Sequence, residues 1–134
     1  MENIKKILVG YNNSPESNAA LALAGQLASF FKARLTIVLS MEGGPRESVQ
    51  DVEKATVVLD KAFRSMTAKG ITCEVQQTVR GLSPGADLVA YAKENQVDLI
   101  AVGVEKKSRM QKLILGSTAQ YIILNAPCPV VTVK

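Results

Sequence analysis

Short apolar runs and longer amphipathic stretches alternate along the chain. Ile4 to Tyr11 (its apolar run starting at Ile7), Leu35 to Leu39, Asp98 to Val102 and Val130 to Val133 are of strand length, bounded by glycine, proline, asparagine and serine. Unbroken apolar runs of that length predict strands covered on both faces. Thr72 to Val79 alternates weakly and predicts one more strand. Between the strands the apolar residues recur at three- and four-residue steps. Ser14-Pro15 opens a helix to about Phe31, with serine as N-cap and proline where its missing N–H costs nothing. Leu21, Leu23, Leu27, Phe30 and Phe31 are its expected apolar face. A second helix runs from about Glu47 to Ala68, with Val52, Ala55, Leu59, Phe63 and Met66 on one side and Gly70 at a left-handed cap. Ser83-Pro84 starts a third, to about Asn95, and Ser117 to Leu124 is a fourth.

Five strands alternating with four helices predict an α/β fold. It is an open five-stranded parallel sheet with helices on both faces, formed by residues 1–134 as one domain. Right-handed crossovers and a ligand crevice at the point of reversal favour the strand order 3-2-1-4-5. Leu8, Val9, Ile37, Val38, Leu99, Ile100 and Val102 are then among the most buried residues, and the Gly10 to Ser14 turn and the Gly103 loop open onto one crevice. Ser40 to Pro45 has turn chemistry and ends the second strand. Gly43 to Arg46 and Glu105 to Met110, poor in apolar anchors, are the expected mobile loops.

Composition narrows the chemistry. The 134 residues include no histidine, which excludes a Ser-His triad, a Cys-His pair and an imidazole acid-base step. Cys73 and Cys128 have no metal-ligand spacing and are expected to be buried thiols. Aromatic residues make up 4% with no tryptophan, so stacking platforms for single-stranded nucleic acid are scarce. The net charge of +4 is concentrated only at Lys106, Lys107, Arg109 and Lys112, a cluster that reads as a solvated loop, a phosphate funnel or a nucleic-acid patch. The first apolar run is too short for a signal-peptide core or a membrane span, and a cytoplasmic location follows.

The richest stretch is the last third. Glycine at a strand end, Gly103, is followed by Gly116-Ser117-Thr118 at a helix start. Backbone N–H groups and hydroxyls in that order form a phosphate site. Hydroxyls at a helix start also serve simply as caps, and Asn12-Asn13 as turn residues.

Three segments resemble the universal stress protein family. They are Ile7-Leu-Val-Gly-Tyr-Asn-Asn-Ser-Pro-Glu-Ser17, Val97-Asp-Leu-Ile-Ala-Val-Gly103 and the block from Leu113 to Val133. The family's ATP-binding members carry glycine, two residues, glycine, nine residues, glycine, then serine or threonine. Gly103, Gly116 and Ser117 stand at the first, third and hydroxyl positions, while Lys106 replaces the second glycine. The usual nucleotide-contacting aspartate corresponds to Asn12. The resemblance implies adenine near Gly10, Tyr11, Asn12 and Ser40, beside Val102, and phosphates at Gly103, Lys106, Gly116, Ser117 and Thr118. It also implies ATP as ligand, magnesium only with bound nucleotide, and a homodimer through the edge strand Val130 to Val133.

The leading functional expectation is a stress-response, nucleotide-binding signalling module that acts as a dimer. Its alternative is an ATP-independent protein-interaction dimer of the same family, suggested by Lys106 and Asn12. An enzyme is not expected. The adenylate-forming loop Ser-Gly-Gly-x-Asp-Ser is not matched by Asn12-Asn13-Ser14-Pro15-Glu16-Ser17, and no base is positioned to activate water. Nucleic-acid binding rests on the basic cluster alone, and no membrane partner is expected.

Overall fold

A computed structural model describes residues 3–45, 47–105 and 115–134. Its elements are β1 (Lys6–Gly10), α1 (Pro15–Phe31), β2 (Arg34–Met41), α2 (Val49–Ala68), β3 (Cys73–Val79), α3 (Pro84–Glu94), β4 (Leu99–Gly103), α4 (Ser117–Asn125) and β5 (Val130–Val133). The five strands form one parallel sheet in the order β3-β2-β1-β4-β5. The register sets Val9 beside Ile37 on one side and Ala101 on the other. The sheet order is the expected one, and the seven residues expected to be most buried are all buried.

Alternation along the strands divides the core into two layers. Ile7, Val9, Leu35, Ile37, Leu99 and Ala101 face α1 and α2, and Leu8, Val38, Ile100 and Val102 face α3 and α4. On α1 the residues that meet the sheet are small: Ser17, Ala20, Ala24, Gly25 and Ala28, with Leu21. A Cβ on Gly25 would stand 2.8 Å from the Met66 sulfur, so glycine there lets α1 and α2 close on each other.

Several expectations change in detail. The apolar face assigned to α1 is shifted, for Phe30 is 79% exposed: at 100° per residue it falls on the side of the helix opposite Leu21, Ala24 and Ala28. Val52 of α2 is also largely outside the core, where Leu59, Ala62 and Met66 make the contact. Ser40 and Met41 continue β2 instead of turning, because β3 is long enough to pair them with Thr78 and Val79. Turn chemistry begins only at Gly43 and Gly44, both at positive φ. Cys73 and Cys128 are free and half-buried, not fully buried, because both lie near the margins of the sheet. Burial still pushes both thiols up, Cys73 to about 11, with the Glu74 charge adding to it. Arg46, Lys106, Lys107, Arg109, Met110 and Lys112 lie outside the described residues, and with them the basic cluster, the last residue of the first loop expected to be mobile and all but Glu105 of the second.

The end of β4 has a steric constraint of its own. A Cβ on Gly103 would lie 2.4 Å from the backbone carbon of Glu16 and 2.8 Å from the Ser17 nitrogen. Gly103 is therefore required by the first turn of α1, which presses on the strand end. At Gly10 the added carbon would meet only the tip of the Leu88 side chain, at 2.7 Å, and a side chain can turn away. Gly103→Ala is expected to destabilise by about 3 kcal/mol, the upper end for overpacking against backbone, and Gly10→Ala by about 1 kcal/mol. Urea unfolding of both variants reads the difference, and equal losses would contradict it.

Candidate functional site

Strands of a parallel sheet all point their C-terminal ends the same way, so the turns after β1, β2 and β4 gather at one edge. The turn after β1 is tied by its own side chains. Ser17 donates its N–H to the N-cap hydroxyl of Ser14 at 3.1 Å, and Asn12 donates its N–H to Ser17 Oγ at 3.3 Å. The Ser14 N–H donates to Asn12 Oδ1 at 3.0 Å. A backbone N–H only donates, so that oxygen is assigned, and Asn12 keeps its amide N–H₂ for a ligand. Asn13 takes the left-handed φ of 64° that the turn needs. Tyr11 is buried, its hydroxyl donates to Asn18 Oδ1 at 2.6 Å, and burial raises its pKa.

Across the reversal, Gly116 is the N-cap of α4 and has no side chain with which to cap it. Ser117, Thr118 and Ala119 form the first turn and line the crevice. First-turn N–H groups and the positive end of the helix dipole favour an anion there. Gly85 of α3 packs against this turn; a Cβ on it would reach the Tyr121 Cβ at 2.9 Å and the Thr118 carbonyl oxygen at 3.2 Å.

Behind the end of β2 lies a buried charge. Asp87, in the first turn of α3, is 1% exposed. The hydroxyls of Ser40 and Thr78 both donate to its Oδ2, Arg80 Nε donates to Oδ1 at 2.7 Å, and Arg80 Nη2 donates to its backbone oxygen at 3.3 Å. Arg80 Nη1 reaches on to Glu94 at 2.7 Å. Burial opposes the charge on Asp87 most strongly of any single effect. The bonds from Ser40, Thr78 and Arg80, with the guanidinium charge, together outweigh it and hold the carboxyl below its ordinary pKa.

Between these parts lies an open crevice of about 240 Å³. Gly10, Tyr11, Asn12, Ser40, Val102, Gly103, Gly116, Ser117 and Thr118, all singled out from the sequence, line it, while Lys106 is outside the described residues. The sequence reading missed Ser14, Ser17, Val38, Pro84, Leu88, Glu105 and Ala119 on its walls, and Asp87, Thr78 and Arg80 behind Ser40. An acid set directly before the apolar pair Leu88-Val89 was the signal for Asp87. Thr78 at the end of a strand and Arg80 just beyond it gave another. A second hollow of about 660 Å³ lies at the opposite sheet edge, bordered by Lys5, Lys32, Arg34 and Gly70. The C-terminal ends of α1 and α2 meet there, and their carbonyl dipoles disfavour an anion. Among the described residues no cluster of three or more histidine, cysteine or acidic side chains offers a metal site.

Comparison with known proteins sets this geometry beside its relatives. The sequence model of the universal stress protein family matches residues 3–134. A universal stress protein of Thermus aquaticus, from the QAH/OAS sulfhydrylase 3' region, is 30% identical, over 97% of this chain and 98% of its own. The universal stress protein of Archaeoglobus fulgidus in complex with dAMP is 26% identical, with full coverage of both chains and a TM-score of 0.82. A universal stress protein in complex with cAMP is also 26% identical, over 97% of this chain and 96% of its own, with a TM-score of 0.77.

The Asp87 network makes stability depend on acid. Since the folded-state pKa is depressed, its contribution is complete above the unfolded value, about 3.9, and fades as the pH falls from there through the lower folded value. Asp87→Asn is expected to cost about 3 kcal/mol at pH 7, the low end for breaking a buried pair, because the half-open Arg80 is rehydrated. The gap between the two proteins should narrow steadily below about pH 4. Denaturant unfolding at pH 7 and at pH 2.5 checks this, and a gap that stays constant would contradict it.

Proposed function

This chain belongs to the universal stress protein family, and on that premise we propose that it is a nucleotide-binding module, of the ATP-binding type, that acts in stress signalling as a homodimer. The observation that carries the reading is the convergence of the Gly10 to Asn12 turn, Ser40 and the α4 N-terminus on one crevice. Val38, Leu88 and Val102 supply apolar walls for a base, and the first turn of α4 supplies donors for phosphate. The complexes of relatives with dAMP and cAMP support it, since both ligands join an adenine to a phosphate. Asn12 marks a departure: with its oxygen on the Ser14 N–H, it meets a sugar as a neutral donor. That feature favours the alternative reading, an interaction dimer that has given up ATP.

The module is proposed to bind without catalysis, with magnesium entering only alongside a nucleoside triphosphate, and to work in the cytoplasm. No helix among the described residues is long and apolar enough to cross a membrane. The dimer is proposed through β5, an edge strand whose Val130-Val-Thr-Val133 carries no charge and invites antiparallel pairing with a second copy. Light scattering at high micromolar concentration tests that part, and a monomer there would remove it. Calorimetric titration with ATP and AMP tests the nucleotide. Saturable binding is expected, weakened about tenfold by Ser117→Ala through loss of one charge-assisted hydrogen bond. Silence at millimolar nucleotide would leave the ATP-independent dimer as the function.

A further inference from the structure

The buried carboxylate of Asp87 does not itself line the crevice, yet it bonds to a residue on the crevice wall. Its placement is costly, for a charge 1% exposed in the body of an α/β domain must be fully compensated. Compensation comes from three side chains, Ser40, Thr78 and Arg80. A carboxylate only accepts hydrogen bonds. Each of the three groups therefore donates, and the hydroxyls of Ser40 and Thr78 spend their only proton on it. Ser40 is the one member of this group that also lines the crevice. What its oxygen offers a ligand is a lone pair, with no proton left to give.

Position says which part of a ligand meets that lone pair. β1 lies between β2 and β4, so Ser40 stands two strand spacings, about 10 Å, from the β4 end that faces the α4 N-terminus. A phosphate held at Ser117 and Thr118 places the far edge of the base, not the sugar, towards β2. Val38, on the same strand face two residues earlier, and Leu88, next to Asp87, make the apolar slot in which that base lies.

Resting on the nucleotide reading above, we propose that Asp87 is a positioning residue that fixes Ser40 as an acceptor, so that the crevice selects a base presenting a hydrogen-bond donor at its far edge. A 6-aminopurine has such a donor in its exocyclic amine. A 6-oxopurine turns a carbonyl oxygen towards Ser40 and leaves two acceptors facing each other with no proton between them. The discrimination resides in a proton held outside the crevice, by a residue that the ligand never touches.

Calorimetric titration of the full chain with AMP and with IMP tests the proposal, the AMP-to-IMP affinity ratio being the readout. Wild type is expected to favour AMP about tenfold, the effect of one unpaired buried polar contact. Ser40→Ala should bring the ratio near one and Ser40→Thr should restore it. Asp87→Asn should lower the ratio, because one carboxamide oxygen cannot serve three donors and the Ser40 hydroxyl is freed to turn towards the crevice. Thr78→Val removes a donor to Asp87 while leaving the Ser40 hydroxyl its bond to Oδ2. It should lower thermal stability and leave the ratio unchanged, which separates positioning from mere scaffolding. If Asp87→Asn does not fold, the two Ser40 variants decide. Equal affinities in wild type, a ratio kept in Ser40→Ala, or a ratio kept in folded Asp87→Asn would each overturn the proposal while leaving nucleotide binding intact. Failure of wild type to bind either nucleotide would overturn the nucleotide reading and this proposal with it.

Discussion

The pairing of β1 with β4, Ile7 against Leu99, Leu8 against Ile100 and Val9 against Ala101, is the contact on which the rest of the structure depends. These residues are all buried and have apolar neighbours on both sheet faces. Their sequence separation means the chain completes two crossovers, through β2 and β3, before it returns to the other side of β1. At that reversal the segments following β1 and β4 diverge to opposite faces, α1 on one and α4 on the other, and the crevice is the space they leave. Gly103 reports how tight the arrangement is, since α1 leaves no room even for a methyl group at the end of β4.

Around that space the site divides into two electrostatic halves. The α4 end offers helix N–H groups to an anion. The β2 end holds a negative charge, but one sealed behind Ser40 and neutralised by Arg80. A ligand that is anionic at one end and donor-bearing at the other satisfies both halves, and a phosphorylated aminopurine has that polarity. Arg80 and Glu94 continue the network to the surface, so β3 and α3 are tied together beneath the site.

The sheet order was legible because its cause is local and repeated: every strand but β3 centres on an apolar run, and each helix begins with serine or glycine in an extended cap conformation. Nine of the crevice-lining residues were legible, those after β1 and β4 because turns at one sheet edge must converge and Ser40 through the family resemblance. Phe30 misled because α1 meets the sheet with its small residues, Ala20, Ala24 and Ala28, and that face leaves Phe30 on the opposite side of the helix. Ser40 looked like the start of a turn because its strand partner, Thr78, is distant in sequence. Gly103 was read as room for a phosphate, and it does line the crevice, but the backbone of Glu16 also demands its small size, a contact between distant segments that the sequence does not display. Asp87 escaped notice because its partners Ser40, Thr78 and Arg80 come from two other strands and a turn, and only the fold brings them to it.

The central claim is that the ends of β1, β2 and β4 and the start of α4 form one ligand crevice at the sheet's reversal. Amide chemical-shift mapping during titration with AMP tests it most directly. Shifts that saturate together at Gly10, Asn12, Ser40, Gly103 and Gly116 to Ala119, with Lys32, Arg34 and Gly70 at the opposite edge unmoved, are the predicted result. Saturating shifts centred on that opposite edge, with the crevice residues silent, would contradict it.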